Sequence, residues 1–182
     1  MYVPRVDVLV VAATARELEC APGTRTMACG IGPVEAAITT GRALVEQAPE
    51  ALLLVGLAGG RGIAAGTLVL GSESLYCDLH ADVHVPRRVL PDEALLAAAR
   101  TALPRALVQP IGTSAAVGGT TGCDVEAMEG FAVLRAAELA GVAAVELRAV
   151  SNEIAEPDRS RWEFDRGLAA LADAVPRLLA AL

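Results

Sequence analysis

Short, nearly unbroken apolar runs alternate along the chain with Ala-rich stretches bounded by Gly and Pro. Residues 6–12 are β-branched and almost uninterrupted, which predicts a buried strand. Residues 26–30 give a second, short strand. Pro33 opens a helix to about Gln47, placed in the first turn where its missing N–H has no partner to lose. Residues 51–57 read as a strand ended by Gly59 and Gly60, 67–76 as another strand, and 91–103 as a helix. A strand over 106–113 is broken at Pro110. An Ala-rich helix over 129–140 stops at Gly141, a strand follows over 143–150, and a last helix over 160–182 is kinked or split by Pro176. Between these elements, residues 83–91 form an irregular, exposed loop.

Strands and helices therefore alternate, and the expected class is α/β with a mostly parallel or mixed sheet. Ligands in such folds gather at the carboxyl ends of strands. The residues to inspect there are Glu17, the 57–60 stretch, Ser151 and Asn152. A chain of 182 residues suffices for one well-buried domain, taken as 1–182, and is short for two.

The composition is 54% hydrophobic, but every apolar stretch is broken well short of the ~20 residues that span a bilayer. No membrane partner is expected. The first residues lack the pattern of a signal peptide, which places the chain in the cytoplasm. Cys20, Cys29, Cys77 and Cys123 are scattered without a CxxC pair, as reduced and mostly buried thiols would be. The net charge is −7, there is no Lys, and the Arg residues are dispersed, which argues against a nucleic-acid partner. A small molecule fits better.

Several segments carry candidate chemistry, each beside an ordinary structural explanation. Glu126 and Glu129 open an apolar helix, where acids also complement the helix dipole. Ser151 and Asn152 end a strand, as turn residues do. Gly30-Ile31-Gly32-Pro33 is either a phosphate cradle or a turn, and Leu57-Ala58-Gly59-Gly60 either a tight turn or a wall for a flat ligand. Glu17 doubles as an ordinary helix-start acid. His80 and His84 read as solvated loop residues.

Taken in order, these segments resemble the nucleoside phosphorylase and nucleosidase family. Val125-Glu126-Ala127-Met128-Glu129-Gly130 resembles its V-x-x-M-E-G/A segment, and Arg148-Ala149-Val150-Ser151-Asn152 its R-A-I-S-D/N segment. The 30–37 run is similar to its G-x-G-x-x-x-A-A turn and helix, and the 55–60 run to its G-S-A-G-G loop. The resemblance implies a single-domain, three-layer αβα fold with a central mixed sheet, and commonly a homodimer or higher homo-oligomer. It also implies breakage of a purine nucleoside's N-glycosidic bond. Glu129 would accept hydrogen bonds from the ribose hydroxyls with Met128 against the sugar. Glu17 would activate water, Asn152 with Ser151 would face the purine, and Ala58 and Gly59 would line the base. No metal or cofactor is needed for that chemistry.

Two departures narrow the expectation. Where phosphorylases of this family place Arg and Ser to hold phosphate, residues 53–57 are apolar apart from Gly56, and a buried dianion without partners costs several kcal/mol. Arg61 is the one nearby residue that could reopen the question; water is the expected nucleophile. Asn152 stands where adenine-specific members carry Asp, and an amide can donate to the C6 oxygen of hypoxanthine that a carboxylate would repel. With Asp158-Arg159-Ser160-Arg161-Trp162 following, the pattern is most similar to the futalosine hydrolases of menaquinone biosynthesis. The alternatives are a methylthioadenosine/S-adenosylhomocysteine nucleosidase and a non-catalytic nucleoside-binding protein. Trp162 is a candidate for aromatic surface on the base, and Phe131 for the core.

Overall fold

The structure, a computed structural model, describes residues 6–80, 84–119 and 121–182; residues 1–5 and residue 83 of the expected loop lie outside them. The elements run β1 (Val8–Ala12), α1 (Ala15–Leu18), β2 (Arg25–Ala28), α2 (Pro33–Gln47), β3 (Ala51–Gly60), β4 (Leu68–Tyr76) and β5 (Arg88–Val89). They continue through α3 (Glu93–Ala102), β6 (Leu107–Thr113), β7 (Val125–Ala127), α4 (Gly130–Ala140), β8 (Ala143–Glu153) and α5 (Phe164–Leu179), with a 3₁₀ turn at Arg159–Arg161 before α5.

One mixed sheet joins all the strands. β1 pairs parallel with β2 and β3, and β3 pairs parallel with β8. β8 turns antiparallel against β4, β4 runs parallel with β6, and β7 lies parallel to β6 and antiparallel to the end of β3. The pairings thus close a circuit β3–β8–β4–β6–β7–β3. Strands buried on both faces read as continuous apolar runs, which is why β1 and the first half of β3 are legible as strands.

Alternate residues of β1 feed opposite cores. Val8 and Val10 pack with Leu171, Ala174, Val175 and Leu178 of α5 and Ala99 of α3. Leu9 and Val11 pack with Ala36, Ala43 and Leu44 of α2 and Val133, Leu134 and Ala137 of α4. Helices on both faces of the sheet make the three expected layers.

Several boundaries differ from the sequence expectation, each for a physical reason. β3 runs through Gly59 and Gly60, which pair with Glu126 and Val125 of β7, so the glycines continue the strand. β6 runs through Pro110, and the ladder with β4 slips opposite it, between Gly71 and Glu73, accommodating the missing N–H. Residues 125–127 are strand rather than helix start. β8 continues through Ser151 and Asn152, so neither is a turn residue. The last helix is preceded by the separate 3₁₀ turn, and Pro176 sits inside α5 without splitting it. Asp92 caps α3, its carboxylate accepting from the Leu95 N–H at 3.0 Å. The expected loop contains β5, whose Val89 is buried.

Candidate active site

A cavity of about 680 Å³ opens at the carboxyl ends of β1, β3 and β8. Glu17, Ala58, Gly59, Met128, Glu129, Ser151 and Asn152, all singled out from the sequence, line it together. Trp162 lines it too, whereas Phe131 stacks on Tyr76 at 5.2 Å against the core. His80 and His84 are exposed and line no part of it, and Arg61 is drawn aside to Asp124 at 3.6 Å.

Glu129 stands between β7 and α4 in the position of a helix cap, yet its side chain makes no cap hydrogen bond. Capping of α4 therefore does not account for its side chain. Its carboxylate is 5% exposed and faces β8 and the turn before α2 instead. Oε1 accepts the Gly32 N–H at 3.1 Å, and Oε2 lies 3.3 Å from Arg148 Nη1. The glycine run is therefore a cradle for a carboxylate belonging to the protein rather than for a phosphate. Gly30 and Gly32 take φ of +88° and +90°, left-handed values that present the amide and that a side chain would strain.

Glu17 lies on α1, the single turn that follows β1. Its Oε2 accepts from the Thr14 N–H at 3.0 Å and hydroxyl at 2.8 Å, and its Oε1 from the Leu57 N–H at 2.9 Å. It is indeed a helix-start acid, in a reciprocal capping box, and a pocket residue as well. Each carboxylate oxygen has room for more than one donor, so these bonds orient Glu17 without exhausting it.

On the far wall, the Ser151 hydroxyl lies 2.8 Å from Asn152 Oδ1 and 3.4 Å from the Ala58 carbonyl. Asn152 Nδ2 donates to the Glu153 carbonyl at 3.1 Å. That pair of bonds fixes which end of the amide is oxygen, and leaves one N–H and one lone pair for a ligand.

Three parts of the site have no functional role in the sequence reading, where Glu126 figures only as a helix-start acid. Glu126 is buried, accepting from the Gly118 and Gly119 N–H groups at 3.2 and 2.9 Å and from the Thr121 hydroxyl at 3.2 Å. It ties down the segment whose Ala115, Ala116 and Val117 form the roof. Arg16, Arg159, Phe164 and Leu168 line the mouth, with Arg159 5.5 Å above the Trp162 ring. Behind the pocket, Arg148 is 1% exposed, bonded through Nε to Glu146 Oε1 at 2.8 Å. Burial works against the charge of Arg148, but Glu146, Glu129 and Glu17 around it outweigh that and hold its pKa above the ordinary value. Arg148 and Glu146 could have been noticed: charges two apart in an otherwise apolar strand share one face and must be paired if buried.

A family model described as the phosphorylase superfamily matches residues 25–182. The chain belongs to the phosphorylase superfamily. Within that superfamily it is 34% identical to a futalosine hydrolase of Streptomyces coelicolor, over 86% of this chain and 78% of that protein. It is 33% identical to a futalosine hydrolase of Thermus thermophilus, over 83% and 79% respectively. Proteins of solved structure share its fold. A methylthioadenosine/S-adenosylhomocysteine nucleosidase of Colwellia psychrerythraea, in complex with adenine, superposes with a TM-score of 0.88 at 18% identity, covering 100% of this chain and 98% of that one. The futalosine hydrolase of Helicobacter pylori gives 0.86 at 15% identity, covering 96% and 97%.

Proposed function

We propose that the chain hydrolyses the N-glycosidic bond of futalosine, releasing hypoxanthine, with Glu129 on the ribose, Glu17 activating water and Asn152 facing the purine. The observation that carries this reading is the burial of Glu129 at the pocket wall, held by Gly32 and Arg148 opposite the Ser151–Asn152 pair. A buried carboxylate aimed at the sugar offsets the positive charge that develops at the anomeric carbon. Glu17 Oε1, oriented by Leu57, suits a base that takes a proton from water.

Electrostatics favour water over phosphate. The buried guanidinium of Arg148 is surrounded by Glu17, Glu129 and Glu146, so an entering dianion would meet excess negative charge. The free N–H of Asn152 suits the C6 oxygen of a 6-oxopurine, and its free lone pair a protonated N7. Both futalosine hydrolase relatives support the same substrate.

Incubation with futalosine followed by liquid chromatography should show free hypoxanthine. Release of adenine from methylthioadenosine, with no hypoxanthine from futalosine, would overturn the assignment. The two cores that flank a single sheet support reading 1–182 as one domain.

A homodimer is part of the same reading. Ile31, Val34, Ile38 and Val45 are exposed along α2 and its entry, and Ile31 also lines the pocket. Analytical ultracentrifugation should find a dimer that Ile38→Asp dissociates; a wild-type monomer would refute it. No helix among the described residues is long and apolar enough to cross a membrane, and four free cysteines suit a reducing cytoplasm. Fractionation of the native host's cells tests that placement.

A further inference from the structure

Two carboxylates compete for Arg148, and the division is unequal. Its Nε–H donates to Glu146 at 2.8 Å, while Nη1 reaches Glu129 only at 3.3 Å and is shared with the Leu57 carbonyl at 3.4 Å. Nη2 is buried with no hydrogen-bond partner among the described residues. A guanidinium free to choose would close a two-pronged pair with a carboxylate rather than leave a buried N–H group unmatched. Something holds it back.

The holder is Glu146. Its side chain is 0% exposed and lines no part of the pocket. One oxygen takes Arg148 and the other takes the Ser74 hydroxyl in a short hydrogen bond. The first residue of α4 leaves room for it by being glycine: a Cβ on Gly130 would stand 2.6 Å from Glu146 Oε1. Strand geometry puts residues 146 and 148 on the same side of β8, so the carboxylate grips the guanidinium from behind.

We propose that Glu146 is a positioning residue of the nucleosidase reaction: by anchoring Arg148 it keeps the Glu129 carboxylate open to the ribose hydroxyls. A fork from Arg148 onto Glu129 would occupy both oxygens and spread the negative charge needed opposite the ribose cation. With Glu146 in place, Glu129 receives one long contact from Arg148 and one amide from Gly32, and keeps acceptor sites for substrate. The inference rests on the assignment of Glu129 to the ribose.

The test compares wild type, Glu146→Gln and Ser74→Ala on futalosine and on its 2′-deoxy counterpart, after thermal melts establish that each is folded. Gln keeps the size of the side chain and removes its charge; Ser74→Ala loosens the anchor with every charge intact. For Glu146→Gln, KM for futalosine should rise about tenfold and kcat/KM fall by about tenfold or more. The deoxy substrate, with one hydroxyl fewer for Glu129, should lose less than about threefold in kcat/KM. Ser74→Ala should move the same way by about threefold. Equal losses on both substrates would mark Glu146 as merely structural, and unchanged kinetics in both variants would also overturn the proposal. If Glu146→Gln does not fold, Ser74→Ala decides alone by the same comparison. A wild-type enzyme that splits neither nucleoside would remove the nucleosidase reading and this inference with it; an active wild type with unaltered variants removes only the inference.

Discussion

In the proposed reaction Glu129 and Asn152 divide the chemistry between the bond and the base, and each can be changed without changing its size. Glu129→Gln keeps an acceptor for Gly32 but loses the charge opposite the ribose, so turnover should fall by about 10² or more with little change in the melting temperature. The chromatographic hypoxanthine assay reads this directly; activity within a few-fold of wild type would show that the carboxylate is not the ribose-stabilising group. Asn152→Asp removes the N–H meant for a C6 oxygen and should move the preference toward adenine nucleosides by about tenfold or more. Parallel assays with futalosine and methylthioadenosine check the ratio. Both residues could be picked out from the sequence because they sit in segments that resemble a family. Glu146 lies outside those segments, and although its spacing puts it on the same face of β8 as Arg148, nothing local says that Glu129 meets them there.

At the scale of elements, strand ends carry the machinery and glycine sets how closely they approach. Gly56 on β3 is the tightest case: a Cβ there would lie 2.5 Å from Arg148 Nη1 and 2.9 Å from Glu17 Oε1. Gly56→Ala would wedge between Arg148 and Glu17, and should lower kcat/KM by about 10² while costing about 1–3 kcal/mol of stability. Steady-state kinetics and a urea melt test this; a fully active, equally stable variant would contradict the geometry. The apolar periodicity made β1, α2 and α4 plain, because burial on both faces or on one stripe leaves its mark in composition. It ended β3 and β8 too early and expected a break within β6. There Gly59, Pro110 and Ser151 look like breakers, but long-range pairing with β7, β4 and β3 overrides the local preference. The single turn α1 and the short β5 and β7 are too brief to show a period.

The whole molecule carries buried thiols whose ionisation is tied to folding. Burial pushes the Cys29 thiol from its ordinary 9.0 up to about 12, with the Glu129 charge adding to the effect, and raises Cys20 to about 11. Both stay protonated in the folded chain while the unfolded chain ionises near pH 9. The resulting stability is complete below pH 9 and is lost as pH rises from there toward 11–12. The melting temperature should therefore decline over that window, and Cys29→Ala should flatten the decline; an unaltered slope in the variant would assign it to other groups. The same long-range organisation has a consequence for traffic. β3 stays paired with β8 from Ala51 to Gly60, so the floor beneath the ligand opens only when the entire fold does. Residues 115–117 over the pocket, and Trp162 and Phe164 beside its mouth, belong to no strand. Those residues are the ones substrate and product pass at the open side, so changes that slow departure of the base are expected to map there rather than to the acids beneath them.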